Sequence, residues 1–403
     1  MLGENKKLAI LSIASIPLVM TLGNSMLIPV LPIIEKELDI TSLQVSMLIT
    51  IYSVVAIICI PIAGYLSDQI GRKKVIIPSL VISGIGGLVS GLASVYIANP
   101  YYMILIGRLL QGVGAAGASP IVMPLVGDMY RDQKEVSKGL GMIETSNTFG
   151  KVLSPILGAS LAAIQWYIPF FSFPVFCLIS IILMAFLVKS PALSTEKVKF
   201  PDFLKILKGI FKREGRWLYA VFIIGGICMF VLFGVLFYLS TMLEEEHNIE
   251  GIKKGIVLAV PLTALCCSSF VTGKLIGQNK QKMKEMTIIG LIGLTLSIAV
   301  IAFSEDIYIL LTCLFISGIG IGFALPSLDA LVTEGIVKEQ RGSVTSFYSS
   351  MRFVGVALGP PIFTLLIKIS HQFLFLSNAI LCLIILLLAI FFIEGGEKSK
   401  ITW

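Results

Sequence analysis

Four stretches of this chain, Ile40 to Ser67, Val75 to Ala98, Trp166 to Val188 and Met286 to Phe303, carry no charged side chain. Most of them reach the roughly 20 residues that cover a hydrocarbon core. In lipid no water is available to satisfy backbone amides and carbonyls, and a helix meets those bonds within its own segment. Runs of this length therefore predict membrane-crossing helices. Composition agrees, because 56% of the 403 residues are hydrophobic and 14% are charged, against about 25% charged in soluble domains.

Reading the remaining apolar segments the same way predicts twelve spans: 8–31, 43–66, 75–97, 101–126, 139–163, 166–188, 217–241, 255–276, 286–303, 307–330, 342–367 and 372–393. The first run has no small-residue cleavage site after a short apolar core, so it reads as a span and not as a cleaved signal. An even number of spans puts both termini on one side. Among the 31 Lys and Arg, only Lys36, Lys253, Lys254 and Lys368 fall on the opposite side, and Arg108, Lys151 and Arg352 fall within spans. All the others lie on the terminus side, which the positive-inside rule makes cytoplasmic. This asymmetry also accounts for the net charge of +7 without nucleic acid as a partner. The seven cysteines (Cys59, Cys177, Cys228, Cys266, Cys267, Cys313 and Cys382) all lie in apolar segments without metal-ligand spacing, as expected of small packing residues.

The longest polar connection, "KSPALSTEKVKFPDFLKILKGIFKREGR" from Lys189 to Arg216, sits midway. It divides the chain into an N-terminal bundle of six helices (1–188), a linker (189–216) and a C-terminal bundle of six (217–403). The basic amphipathic part of the linker is expected along the inner membrane surface. An internal repeat supports the division: Tyr102, Gly112, Gly114, Pro120 and Asp128 align with Tyr308, Gly318, Gly320, Pro326 and Glu334 at one constant offset. Gly150 and Pro155 align likewise with Gly355 and Pro360. Duplicated halves of six spans are the architecture of carriers that rock one bundle against the other.

After the second span the chain reads "GYLSDQIGRKK". Gly64 permits close helix approach, Gly71 a tight turn, and Asp68 can pair with Arg72 or with a helix N-terminus. Here the chain resembles the major facilitator superfamily, whose signature in this loop is Gly-x-x-x-Asp-x-x-Gly-Arg-[Arg/Lys]. The segment "RLLQGVGAA", Arg108 to Ala116, resembles the motif of proton-coupled members. Gly150, Pro155 and Gly158 follow the drug:proton antiporter motif Gly-x-x-x-Gly-Pro-x-x-Gly-Gly, with Ser154 and Ala159 in place of glycines. The counterpart "GVALGPP" has Gly355, Gly359 and Pro360. "GKLIGQNKQK", Gly273 to Lys282, is an echo of the first loop motif that lacks its Asp. The resemblance implies an all-α membrane protein of two pseudo-symmetric six-helix bundles, with Gly64, Asp68, Gly71 and Arg72 as a conformational latch. It further implies proton-driven efflux of small amphipathic compounds, multidrug-type.

Glu144 and Lys151 interrupt the fifth span. Seven residues place them on nearly one helix face about 10 Å apart, too far for a direct pair. Charges at such depth cost at least ~2.5 kcal/mol each on insertion scales, so they line an aqueous path or find partners. The expectation is a cavity lined by Asn24, Arg108, Glu144, Lys151 and Arg352. A carboxylate whose surroundings alternate between wet and dry changes its affinity for protons, which makes Glu144 the candidate proton carrier, with Arg108 and Lys151 tuning it or binding an anionic group. A fixed structural salt bridge is the rival role for Glu144, and backbone carbonyls are the rival partners of Arg108. Asp128, Asp329 and Glu334 lie near inner helix ends, where hydration suffices. One buried acid against three bases suits an anionic substrate, and many multidrug members carry an acid in the first span where this chain has Asn24. Export of an anionic metabolite or siderophore-like compound is therefore the alternative reading; a channel or a non-efflux permease is the second.

No Gly-x-x-x-x-Gly-Lys-[Ser/Thr] loop is present, so an ion gradient and not ATP is the expected energy source. His247 and His371 are isolated near helix ends, and no nucleophile or metal cluster suggests an enzyme or a cofactor. The expected partners are a small-molecule substrate, protons and membrane lipid, with a single chain sufficient for the path.

Overall fold

The computed structural model describes residues 2–130, 133–188, 200–277, 279–336 and 341–393. Residues 189–199 of the expected linker and Arg131 lie outside that set. Among the described residues there are no strands, and each apolar run forms a helix. The first traverse is built from α1 (Leu2–Ser25), a 3-10 turn (Ile28–Val30) and α2 (Leu31–Leu38). It is followed by α3 (Ser42–Ile70), α4 (Arg72–Tyr96), the broken pair α5 (Tyr101–Ala118) and α6 (Val122–Met129), α7 (Gln133–Ala162) and α8 (Ile168–Leu187). The second half contains α9 (Phe200–Glu245), α10 (Gly251–Ile276), α11 (Lys280–Ile301), α12 (Ile307–Gly335), α13 (Arg341–Ile367) and α14 (His371–Phe392).

Eleven traverses among the described residues are apolar and long enough to cross a membrane. The exception is α7, which is long enough but carries the charges of the fifth span. Two expected boundaries move. The first span runs on to Leu38, because the chain breaks at Pro29 and restarts as a helix, ending where Asp39 turns left-handed at φ 50°. The fourth breaks between α5 and α6, at Ser119 and Pro120. The described part of the linker, from Phe200, is helical and is set off from the seventh span by a break at Gly215, whose φ of 48° and ψ of −119° no helix interior adopts.

Within the first half α4 packs on α5 and α8, and α1 on α7 and α8; within the second, α11 packs on α12 and α14, and α9 on α13 and α14. The halves meet chiefly where α3 faces α13 and α7 faces α10. Repeated residues make repeated contacts. A side chain at Gly112 would strike the Tyr52 carbonyl of α3, and one at Gly318 the Pro261 carbonyl of α10. Lys73 donates to carbonyls at the end of α8, at 2.8 Å from Ala185 O and 2.7 Å from Val188 O, its C-cap. Lys284 does the same for α14, at 3.1 Å from Ile390 O.

Candidate functional site: the central cavity

The bent helix α7 sets the geometry of the seam. Pro155 has no N–H, so the carbonyl of Lys151 one turn earlier loses its donor. The Ser154 hydroxyl donates to that carbonyl at 2.9 Å, which gives a physical reason for a serine where the antiporter pattern has glycine. Gly150 and Gly158 face α1, where a side chain would meet Leu18 and the Met26 carbonyl. Ala159, the other departure, is matched across the seam by Gly255 of α10, where an added methyl would press on Ala159 and on the Pro155 carbonyl. In the second half Gly355 and Gly359 bring α13 against the Gly226 and Phe230 carbonyls of α9. The Pro360–Pro361 pair interrupts the backbone bonds of α13. Pro361 frees the carbonyl of Ala357, and Thr50 of α3 donates to it at 2.7 Å across the seam.

Between the halves lies a cavity of about 890 Å³ including its open mouth. Asn24 of α1, Glu144 and Lys151 of α7 and Arg352 of α13 all line it, among Tyr52, Met123, Met229, Phe233 and Phe353. Its walls run from Met123 and Thr345, near the terminus-side ends of their helices, to Lys151 and Val356. Lys151 also lines a second, narrow and mainly apolar chamber beyond it, with room for about one water molecule, walled by Ser25, Ile28, Leu232, Leu236, Leu258 and Leu262. No ion pair joins Glu144 to Lys151 among the described residues. Asn147, one turn along α7 from Glu144, accepts from Thr21 of α1 at 2.7 Å, and Arg352 faces Glu144 from the other lobe.

Arg108 is not on the cavity wall, contrary to the sequence-based expectation. It is 0% exposed and is held by the Leu48 carbonyl (2.8 Å), the Gly23 carbonyl (3.0 Å), Gln111 Oε1 (2.6 Å) and Asn24 Oδ1 (2.8 Å). Its guanidinium carbon also lies 4.6 Å from the centre of the Tyr52 ring. Asn24 and Tyr52 therefore separate this cation from the cavity. Three carboxylates read as merely near water, or not singled out, have cationic partners. Asp329 of α12 accepts from Arg352 at 3.1 Å, which makes a half-buried pair in the second half. Asp128 of α6 accepts from Arg72 Nε at 3.0 Å, and Glu244 of α9 pairs with both Lys36 and Lys254. Spacing gave no signal for these pairs, because their members sit on different helices.

The loop motif holds the first half together at the terminus side. Arg72 pairs with Asp68, donates to Ser67 Oγ at 2.7 Å and reaches Asp128, while Gly71 between α3 and α4 takes φ 104°. Gly64 lies against Ser346 of α13. Beside that contact a narrow crevice is lined by Asp68 and Arg72 on one side and by Gly342, at the start of α13, on the other. On the opposite face His371, expected to be a bystander, ties α14 to α9 and α11 through Tyr238 (3.0 Å) and the Ile301 carbonyl (2.9 Å).

Twelve traversing helices in two repeated sets, with a charged, aromatic-walled cavity at their seam, define a membrane transporter. The chain belongs to the major facilitator superfamily, whose family model matches residues 13–355 and 282–402, and it is an efflux-type member. It is 56% identical over 392 residues to the "Bacillibactin exporter" of Bacillus subtilis (strain 168), covering 97% of each chain. It is 28% identical to "Multidrug resistance protein 2" of the same organism, covering 93% of this chain and 92% of that one. The solved structure of the human organic anion transporter MFSD10 (TETRAN) superposes with a TM-score of 0.75 at 17% identity, covering 95% of this chain and 99% of that one, a likeness of fold.

Proposed function

We propose that the chain exports a small, anionic amphipathic compound from the cytoplasm in exchange for protons, by alternating access between a lobe of residues 1–188 and a lobe of residues 217–403 joined by the linker 189–216. The carrying observation is that Glu144 and Lys151 line one cavity at the seam without being tied to each other. A carboxylate in that position exchanges protons with whichever side the cavity faces, and its charge in turn governs how strongly Lys151 attracts an anion. Arg352, anchored by Asp329, supplies the second cation from the opposite lobe. Arg108 acts by fixing Asn24 and Tyr52 in the wall. With both termini cytoplasmic, the cavity described here faces the loading side, and Asp68 with Arg72 forms the latch that engages α13 when that side closes. One chain contains the whole path.

The cargo of the 56% identical relative makes bacillibactin the first siderophore-like compound to test. Broad multidrug efflux is the second reading, favoured by the Met and Phe side chains of the wall, which adapt to varied apolar shapes, and by the 28% identical relative. Inverted vesicles with an acidic interior decide the matter. Uptake of bacillibactin that exceeds uptake of a cationic dye, and that loses its dependence on the pH gradient in Glu144→Gln, supports the proposal. Gradient-driven uptake unchanged in Glu144→Gln removes Glu144 from the coupling role.

A further inference from the structure

The face opposite the termini carries a charged cluster that the central cavity does not use. Glu244, whose side chain is 2% exposed, accepts Lys36 Nζ on Oε1 at 2.8 Å and Lys254 Nζ on Oε2. Lys36 belongs to α2 in the first lobe and is 58% exposed, whereas Lys254 belongs to α10 in the same lobe as Glu244 and is 0% exposed. Beside them Ser240 donates to the Ile28 carbonyl at 3.0 Å, again from lobe to lobe. Below the cluster lies the apolar chamber, with Leu258 one turn along α10 from Lys254.

We propose that Lys36, Glu244 and Lys254 form a two-position gate that closes the exit from the chamber, with Lys254 as the positioning residue that lets it open. One carboxylate serves two ammonium groups, which repel each other. Parting the lobes removes Lys36 into water at little cost, because it is already largely solvated. Glu244 would be costly to leave alone in a buried site, and it keeps Lys254, which travels with its own lobe. The cluster thus exchanges one partner and never strands a charge. Removing Lys36 favours the open exit. Removing Lys254 favours the closed one, because it takes away the competitor and the repulsion while leaving the contact between lobes.

The inference rests on alternating access but not on proton coupling, so its test uses neither substrate nor a pH gradient. Leu258→Cys is placed in the full chain, and a membrane-impermeant maleimide is applied to the face opposite the termini. The unsubstituted chain with its seven cysteines sets the background. Adding Lys36→Ala should raise the labelling rate by roughly threefold or more, Lys36→Arg should restore the parent rate, and Lys254→Met should lower it. A pair that merely stabilises the fold would loosen in both variants and raise both rates. That outcome overturns the proposal, and so does an unchanged rate in Lys36→Ala, which decides the matter even if Lys254→Met does not reach the membrane.

Discussion

Arg108 and Lys151 are both buried cations on apolar helices, and their partners separate their roles. Arg108 spends its donors on two backbone carbonyls and two amide oxygens, an array that a single ammonium group cannot span. Arg108→Lys should therefore lower thermal stability by about 2 kcal/mol or more and reduce export of every substrate alike, read by melting of the purified protein beside vesicle uptake. The Lys151 ammonium group has no hydrogen-bond partner among the described residues and lines two chambers. Lys151→Ala should leave the melting temperature nearly unchanged and impair acidic substrates more than neutral ones; equal losses across a charge series would argue against an anion site. Sequence located both cations by their burial in apolar runs. It could not assign their partners, because Gly23, Asn24 and Leu48 come from other helices. The partner of Asp329 is hidden for a related reason: distance from a helix end measures depth, but the face of α12 that meets Arg352 is set by packing.

At the scale of elements, α7 and α13 show what the repeat made legible. The offset between Gly150–Pro155 and Gly355–Pro360 anticipates two bent helices in equivalent places, and each lies against the first helix of its own half, α1 or α9. Prolines and glycines reveal a bend, since a missing N–H and a missing Cβ act locally. What replaces the lost bond was not legible. In α7 it is the Ser154 hydroxyl, by the local bond a helical serine makes three residues back, and in α13 it is Thr50 from the other lobe, which forms no sequence pattern with its carbonyl. Ser154→Ala should leave the Lys151 carbonyl unsatisfied and cost about 1 kcal/mol, whereas Thr50→Val should alter the conformational equilibrium between lobes more than stability, as read by the same thiol labelling from either face. Gly71→Ala tests the turn between α3 and α4. With φ at 104°, an added Cβ should cost about 1–2 kcal/mol in melting experiments.

For the whole molecule, the twelve-helix architecture follows from hydropathy and the duplicated motifs, because both report the same demand that every backbone group be satisfied in lipid. The arrangement of the lobes does not follow from them. That the seam leaves a narrow crevice beside Asp68 and is joined at Lys36 and Glu244 depends on contacts between segments some two hundred residues apart. Between these ends, the leucine-walled space past Lys151 has a bearing on energy conservation. A hydrated sodium or hydronium ion entering it would shed most of its water for two serine hydroxyls, Ser25 and Ser154, beside the Lys151 cation, at a penalty of several kcal/mol. So narrow and apolar a space should insulate one face from the other, and a carboxylate placed there by Leu262→Asp should make proteoliposomes lose an imposed pH gradient faster in the absence of any cargo.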